Sequence, residues 1–467
     1  MRLSHIPART RAVFDDPNLV SHGGLVPVMA LAERAGLPEL LAEHVRPAGE
    51  CGVNAHLKIG CLVAGMAAGA DSIDGMGLLR HGAMDAVFGG VRAPSTLGSH
   101  LRSYAWGNVL QIEKASRELL ARLAREAPLL PGADVLAFVD VDSTQKRVYG
   151  HRKQGAKFGH TKIQGKSLLV RGLNALIAAV STPLSAPVVA ATRLRGGNAP
   201  SARGADGLAA QAIGTARACG CAGTIVVRMD SAYYAAAVIA AVRRNGARFS
   251  VTAPATPAIR AAIAAIAEDA WQAIEYPQAV WDDQLSCWIS DAEVAETPYT
   301  AFTSKKKALQ VTARLIVRRV RDKGNAAPGQ GELFPARRYH AVFTDSPFEL
   351  VQAEEQHRGH AIIEQVIADL SDGPLAHLPS GKFTANAAWL AVTAITCNLL
   401  RAAGALAGRR HAKARAATIR SDLITVAARI ARHGRDRLTL HLPQGWHREH
   451  EWLNLWEAAC GPPAHAA

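Results

Sequence analysis

The apolar residues in the first part of the chain repeat every three or four positions, which is the spacing of amphipathic helices. A turn-forming tripeptide at 94–96 supplies an N-cap inside this part, and a proline-rich connector at 127–131 ends it. We therefore predict an all-helical N-terminal region over residues 1–128. Its helical segments are predicted at 24–45, 57–69, 97–104 and 109–125.

After the connector, the pattern changes to apolar runs that alternate with amphipathic segments. Such runs predict strands, and strands followed by alternating helices and strands predict a mixed α/β sheet. We assign residues 129–269 to the first part of this core. Strands are predicted at 135–142, 147–150, 167–181, 224–230 and 247–253, and helices at 204–219 and 231–245.

Residues 270–345 have a third pattern, with clustered tryptophans, short β-like runs and a loop rich in glycine and proline. This composition predicts a β-rich insertion in the α/β core. Helical spacing returns over 348–370 and 385–404, so residues 346–404 are predicted to complete the core. Residues 405–467 are predicted to form a basic C-terminal tail.

The charge balance points to a class of partner. Lys and Arg number 53 against 39 Asp and Glu, and the resulting net charge of +14 favours a polyanion such as DNA. Seven cysteines, with Cys219 and Cys221 only two positions apart, argue against a disulfide framework or a zinc site. The N-terminus lacks the apolar core of a signal peptide, and the apolar stretches are interrupted or too short to cross a bilayer. We therefore expect a cytoplasmic protein that does not bind membranes.

Carboxylates stand at the ends of two predicted strands. Asp140 and Asp142 close an apolar run and point to the same face of an extended backbone, and Asp230 ends a second strand. A charge at the mouth of a buried strand needs a neutralising partner, and a metal ion is the commonest one for clustered carboxylates. Asp142 is the favoured ligand because it lies closest to the strand end, with Asp140 as a possible ligand or supporting partner. Local roles stay open, since aspartates also cap turns and helices.

A third acid, Glu364, lies on a helical segment beside an apolar stripe that includes Ile363. A solvated helix face has a similar pattern, and that interpretation is the better one for Glu354 and Glu355. Three acids on a basic chain suit two-metal phosphoryl transfer, in which Mg²⁺ ions roughly 3.5–4 Å apart activate the attacking oxygen and stabilise the leaving one. Oxygen donors suit Mg²⁺ or Mn²⁺, whereas no histidine and cysteine set suits zinc.

Several short motifs surround these acids, and others lie elsewhere in the chain. They are Asp-Val-Asp-Ser-Thr at 140–144, Tyr-Gly at 149–150, Arg-Met-Asp-Ser at 228–231, His-Arg at 357–358, Ile-Glu at 363–364, Leu-Pro-Ser-Gly-Lys-Phe-Thr-Ala-Asn at 378–386, Asn-Leu-Leu-Arg at 398–401, Leu-Leu-Arg-His-Gly at 78–82 and Arg-Ala-Pro-Ser-Thr-Leu-Gly at 92–98. With these motifs the chain resembles bacterial insertion-sequence transposases that have a DDE catalytic domain of the RNase H-like fold. Among them it is most similar to the branch called transposase DDE domain group 1, over nearly the whole chain.

The resemblance implies that Asp142, Asp230 and Glu364 form the catalytic triad and hold two Mg²⁺ or Mn²⁺ ions. The implied fold is an α/β, RNase H-like mixed-sheet core that carries the β-rich insertion. The implied reaction is binding of the terminal inverted repeats, hydrolysis at the transposon ends and attack of the 3′-hydroxyls on target DNA. The implied partners are double-stranded DNA and further copies of the chain, in a dimer or higher synaptic complex.

One signature of relatives with an inserted β-domain differs in this chain. Around the glutamate they carry Tyr-x2-Arg-x3-Glu-x6-Lys, whereas here His357, His360 and Ser371 take the tyrosine, arginine and lysine positions. Basic clusters in the insertion and the tail could follow phosphates, although a solvated surface is the alternative for any one of them. The resemblance also implies a tryptophan that stacks on a flipped base, with a core position as the alternative. The predicted DNA contacts are Lys305, Lys306, Lys307, Arg318, Arg319, Trp281, Trp288, His357 and Arg358.

Three other functions fit parts of this pattern. A host nuclease would keep the catalytic core without strand transfer, and a DNA-binding protein descended from a transposase would have lost catalysis. A carboxylate-pair hydrolase acting on sugars is a third alternative, which the basic charge and an aromatic content of 5% disfavour. A pair of inverted repeats flanking the gene would separate a transposase from a host nuclease.

Overall fold

The N-terminal part of the chain is mainly helical. A computed structural model describes residues 11–163, 166–277, 279–284, 286–321, 337–433 and 437–461. After a two-residue strand, the elements up to the connector are helices, as the spacing of apolar residues predicts. The elements are β1 (Leu19–Val20), α1 (Leu25–Arg34), α2 (Leu37–His44), α3 (Ala55–Ala68), α4 (Met84–Val87), α5 (Pro94–Ser103) and α6 (Trp106–Glu126).

The next part contains the strands of the predicted core. They are β2 (Leu136–Arg147), β3 (Lys157–Ile163), β4 (Lys166–Ser181), β5 (Val188–Gly196), β6 (Thr224–Met229) and β7 (Arg248–Thr252), with α7 (Ala205–Ala218) and α8 (Ala236–Arg244) between them. The separate strand predicted at 147–150 is wrong, because β2 itself continues to Arg147 before the chain turns. The pattern also misses β3 and β5. The residues of β3 are mainly polar because it is an edge strand, which pairs only with β4.

The rest of the chain completes the sheet and covers it. It contains α9 (Pro257–Ala264), β8 (Gln272–Ala273), β9 (Val280–Asp282), β10 (Cys287–Ile289), β11 (Ala292–Ala301), β12 (Val311–Arg321), β13 (Arg337–Thr344), α10 (Leu350–Arg358), α11 (Ile362–Ser371), α12 (Phe383–Ala407), α13 (Arg409–Ala412), α14 (Ala416–Ile419), β14 (Ala428–His433), β15 (Arg437–His441) and α15 (Glu449–Cys460). The helix predicted over 348–370 is interrupted by a short 3₁₀ turn at Gly359–Ala361. The predicted basic tail therefore contains folded elements.

One large mixed sheet runs through both the core and the insertion. Its strand order is β3-β4-β2-β6-β7-β13-β12-β11-β8, with β5 also paired to β4. Strands β2, β6 and β7 are parallel to one another, whereas β4 is antiparallel to β2 and β5 is antiparallel to β4. The insertion joins this sheet where β13 pairs antiparallel with β7. The insertion is therefore rich in strands. Four of them, β13, β12, β11 and β8, continue the main sheet beyond β7.

Helix α12 links the N-terminal helices to the sheet. It packs against α3, α5 and α6 on one side and against β5 on another. Asn398 of α12 accepts a hydrogen bond from the Val189 amide (2.7 Å) and donates one to the Val189 carbonyl (2.8 Å), which satisfies two backbone groups of β5. Within the described residues, α12 is the one helix long and apolar enough to cross a membrane, and most of it is buried in this core.

The C-terminal elements return to the N-terminal helices. Strand β1 pairs with β14, and α15 packs against α1 and α12. Buried side chains from Val20 to Ala459 form one continuous hydrophobic cluster across these parts. All five predicted segments contribute side chains to this cluster, so packing does not mark boundaries between them. The division of the chain into five segments therefore stays a prediction.

Candidate active site

The three predicted catalytic acids come from adjacent elements. Asp142 lies on β2 just beyond the last residue that pairs with β6, and Asp230 directly follows β6. Because β2 and β6 are parallel and Val141 is paired with Met229, both aspartates lie at the same edge of the sheet. Glu364 is in the first turn of α11, which packs against β2. Strand pairing and helix packing therefore bring the three acids to one edge.

The charges of these acids affect one another. Burial, together with the Asp230 and Glu364 carboxylates, raises the pKa of Asp142 to about 6 in spite of the opposing effects of the Ser143 amide and His360. That amide donates a hydrogen bond of 2.7 Å to Oδ1 of Asp142. Burial and like charges both favour the neutral carboxyl. The acids therefore form an electrostatically strained group at the sheet edge.

Asp230 also has the local role that its position allows. Its Oδ1 accepts a hydrogen bond of 2.9 Å from the Ala232 amide and caps the short turn after β6. This bond uses one carboxylate oxygen, so the capping role and a role as a metal ligand are compatible.

The donor set fits a hard divalent cation. In the described part of the chain, neither Asp142, Asp230 nor Glu364 forms an ion pair with a lysine or arginine. As the side chains stand, no three His, Cys, Asp or Glu residues of that part are arranged closely enough to enclose an ion. Carboxylate oxygens that repel one another and have no cationic partner suit Mg²⁺ or Mn²⁺, whose binding would draw them together.

Asp140 has a different environment from Asp142 although both point to the same side of β2. Its side chain is buried, and its two oxygens accept hydrogen bonds of 2.7 Å each from Nε and Nη2 of Arg228. Nδ1 of His360 lies 3.0 Å from Oδ1 of the same carboxylate. Although burial raises the pKa of Asp140, the Arg228 charge and the hydrogen bonds from both partners bring it below its usual value. This pairing does not favour Asp140 as a metal ligand.

His357 occupies a buried position between two strand hydroxyls. Its Nδ1 lies 2.9 Å from Oγ of Ser250, and its Nε2 lies 3.0 Å from Oγ1 of Thr252. Burial lowers its pKa to about 3, so the ring is neutral. With both nitrogens occupied and no charge, His357 is a core residue, and this geometry does not favour the predicted DNA contact.

The three arginines that were predicted to contact DNA in this region pair with glutamates of the protein itself. Glu354 is buried and accepts hydrogen bonds from Arg318 (2.6 Å) and Arg358 (2.8 Å), so it is not an alternative to Glu364. Arg319 is also buried, where it pairs with Glu268 and Glu293 and stacks on Trp271. The predicted DNA contacts by Arg318, Arg319 and Arg358 are therefore not favoured.

The remaining predicted contacts lie at opposite ends of the sheet. Val141 pairs with Met229, and the pairing continues across the sheet through Val251 and Phe343 to Leu315. Leu315 therefore marks the position along β12 that is level with the acids. The exposed lysines at 305–307 follow β11 at the end away from that edge. Trp281 and Trp288 face each other across β9 and β10, with ring centroids 5.3 Å apart, and β10 leads into β11 at the acid-bearing end. The tryptophans therefore stay the better placed candidates.

Sequence reasoning missed one basic residue at this site. Lys146 is four positions after Asp142 on β2, on the same face of the strand. Its Nζ donates a hydrogen bond of 2.7 Å to Oγ of Ser371, which ends α11, and burial lowers its pKa to about 8. The alternation along β2 was a usable signal for Lys146. Arg228 gave no such signal, because its partner Asp140 is 88 positions away.

A comparison with protein families identifies the family of the chain. Residues 7–458 match the family described as Transposase DDE domain group 1, whereas no curated protein matches the chain. Transposases of the DDE type are in general metal-dependent nucleases and transferases that use ions such as Mg²⁺, bind DNA and assemble into oligomers. Because the match spans nearly the whole length, this chain belongs to the DDE transposases of that family.

Proposed function

We propose that the chain is the transposase of an insertion sequence. It binds the terminal inverted repeats, cleaves the transposon ends and joins their 3′-hydroxyls to target DNA by two-metal-ion phosphoryl transfer. The observation that carries this proposal is the convergence of Asp142, Asp230 and Glu364 at one sheet edge without a cationic partner among the described residues. Membership of the DDE transposase family supports the same reaction.

The strand order supports an RNase H-like core for this reaction. Taking the core strands alone, the order is β5-β4-β2-β6-β7, with the first three antiparallel and the last two parallel to β2. This is an antiparallel meander followed by two parallel crossover strands, as expected for that fold. In this order β2 and β6 are neighbours, and Asp142 and Asp230 follow the paired residues Val141 and Met229.

The residues of the site divide the work of the reaction. Asp142, Asp230 and Glu364 would hold the divalent ions, which activate the attacking oxygen and stabilise the leaving one when bound. Through those ions, the acids would also orient the scissile phosphate. Lys146 lies on the same strand face and would bind a neighbouring phosphate. The arginines on α6, Arg117, Arg122 and Arg125, line a groove towards α7 and support a second DNA surface in the N-terminal region.

The cleavage assay that tests the proposal compares two glutamates. We expect Glu364→Ala to lower end cleavage at least about a thousandfold, because a metal site supplies several kcal/mol of transition-state stabilisation. Glu355→Ala is the matched control, since Glu355 is exposed on α10 and should be dispensable. Both variants should bind DNA that carries the element's terminal repeat as the unaltered protein does.

The same assay separates the alternative functions. Strand-transfer products from the unaltered protein distinguish a transposase from a host nuclease, which would release cleaved ends only. A non-catalytic derivative would bind the repeat without cutting it. Normal cleavage by folded Glu364→Ala protein would contradict the assignment of this glutamate.

Lys146 leads to a prediction about salt. Among the described residues, Ser371 accepts a hydrogen bond from one of the three N–H groups of its ammonium, which leaves the other two for a phosphate. Lys146→Met should therefore reduce the slope of log Kd against log salt by about one, with a similar loss for all DNA sequences. Lys146→Arg should keep the slope.

Ser371→Ala provides the control for this experiment. It removes the hydrogen-bond partner of Lys146 but leaves the ammonium charge in place. Electrophoretic shift titrations at several salt concentrations measure the slope for each variant. An unchanged slope for Lys146→Met would show that Lys146 supports α11 and does not contact DNA.

A further inference from the structure

Each proposed catalytic acid is preceded by a member of one internal network. Asp140 is two positions before Asp142, Arg228 is two positions before Asp230, and His360 is four positions before Glu364. These three preceding side chains contact one another: Arg228 binds both oxygens of Asp140 at 2.7 Å, and His360 binds Oδ1 at 3.0 Å. The network therefore connects β2, β6 and the 3₁₀ turn that directly precedes α11, the helix of Glu364.

Arg228 is held on further sides. Its Nη1 donates a hydrogen bond of 2.6 Å to the Gln356 carbonyl, near the end of α10, and its guanidinium stacks on Phe138 with 3.9 Å to the ring centroid. A Cβ at Gly359 would lie 2.8 Å from Nη1, closer than carbon atoms normally approach. Because hydrogen bonds fix the guanidinium, it could not move away easily. The α10–α11 junction is thus fitted closely around Arg228.

Stability alone does not account for this arrangement. The Arg228 and Asp140 side chains are 4% and 1% exposed, so both charges have lost nearly all contact with water. Desolvation of such a pair offsets much of its attraction, and a well-packed apolar pair is often as stable or more stable. The network instead fixes the relative positions of β2, β6 and the α10–α11 junction, because its hydrogen bonds join all three.

We propose that Asp140, Arg228 and His360 form a positioning network that holds the backbone segments of the three acids in register, so that their carboxylates can close on divalent ions. The proposal rests on the proposed function, since it assumes that those acids bind metal. The three residues act through the elements they join and do not themselves bind the ions. Residues that orient metal ligands typically change metal affinity or activity by about 10- to 100-fold when they are replaced.

The test measures Mn²⁺ binding to the full chain by calorimetry. In the double variant Asp140→Leu/Arg228→Met, apolar side chains replace the ion pair, so the melting temperature without metal should be kept. We expect its Mn²⁺ affinity to fall about 10- to 100-fold, with unchanged binding of repeat DNA. The matched control is Glu113→Leu/Arg193→Met, which removes an ion pair between α6 and β5 and should leave Mn²⁺ affinity unchanged.

His360 supplies a second test that does not depend on the double variant folding. Asparagine can place an amide N–H where Nδ1 of the imidazole is, whereas glutamine and leucine cannot reach Asp140 in the same way. We expect His360→Asn to keep most of the Mn²⁺ affinity, and His360→Leu and His360→Gln to lose it. Rescue by glutamine and not by asparagine would show that Nε2 is a metal ligand and would overturn the positioning role.

The outcomes distinguish failure of the positioning network from failure of the proposed function. If the unaltered protein and the Asp142→Asn variant bind Mn²⁺ equally, the triad is not the metal site and the proposed function fails. If Asp142→Asn abolishes binding while the folded network variants bind as the unaltered protein does, the triad stands and the positioning network is wrong.

Discussion

Replacing Asp142 with asparagine should stabilise the metal-free protein and abolish cleavage at the same time. The folded environment raises the pKa of Asp142 from 3.8 to about 6, so the ionised form at neutral pH is unfavourable in the folded state. Asparagine removes that charge and keeps the shape of the side chain. We expect the free energy of unfolding to rise by about 2 kcal/mol at neutral pH.

The pH dependence of this gain has a definite sign. A carboxyl whose pKa is higher in the folded state stabilises the fold when protonated, and this contribution is lost as the pH rises. The difference between Asp142→Asn and the unaltered protein should therefore vanish as the pH falls from about 6 to 3.8. Denaturant unfolding in the presence of a chelator, at neutral and acid pH, measures it.

Asp134→Asn is the control for this experiment, since Asp134 is exposed just before β2 and its replacement should change neither stability nor cleavage. A destabilised Asp142→Asn protein would mean that the Asp142 carboxylate has a favourable partner in the fold. Cleavage by this variant would exclude Asp142 from the triad.

Metal removal should have an equally large effect. Cleavage should stop in excess chelator and return with Mg²⁺ or Mn²⁺, because the carboxylates are hard oxygen donors. Ca²⁺ should support DNA binding with little turnover, since it adopts a looser geometry with more ligands than Mg²⁺. Single-turnover cleavage of repeat DNA in each ion measures the difference.

Thermal melting gives an independent measurement of the same site. An ion that binds only the folded protein raises the melting temperature by an amount that grows with the logarithm of its concentration once this exceeds the Kd. Mn²⁺ should therefore stabilise the unaltered protein and have little effect on Asp142→Asn. Full cleavage in excess chelator would contradict the two-metal mechanism, whatever the melting curves show.

The sequence could predict that Asp142 and Asp230 lie at the same edge of the sheet, because their positions depend on local patterns. Asp142 and Asp230 follow strands whose apolar runs are visible in the chain, and parallel pairing of those strands brings them together. The interpretation of Glu354 as part of a solvated helix face was wrong, because Glu354 is buried between Arg318 and Arg358, whereas Glu364 is exposed. The difference between Asp140 and Asp142 was not visible, because the Arg228 side chain that neutralises Asp140 arrives from a distant strand.

Other features depended on tertiary contacts in the same way. His357 has the sequence context of a surface helix, but α10 packs it against the hydroxyls of Ser250 and Thr252 on β7. The break between α10 and α11 follows from the fit of Gly359 around Arg228, which no local propensity reveals. The composition predicted the strands of the insertion, but it could not show that β13 pairs with β7.

The continuous sheet fixes the distance between the strands of the insertion and the strands that carry the acids. From β2 to β11 the path crosses β6, β7, β13 and β12, and each step between neighbouring strands is about 4.8 Å. The distance from Asp142 to β11 is therefore set by a count of hydrogen-bonded strands, and residues 290–291 join β11 to the separate β9–β10 hairpin that carries the tryptophan pair. Adding or removing one strand of this path would change the distance between β11 and Asp142 by one strand spacing, so that distance can take only discrete values.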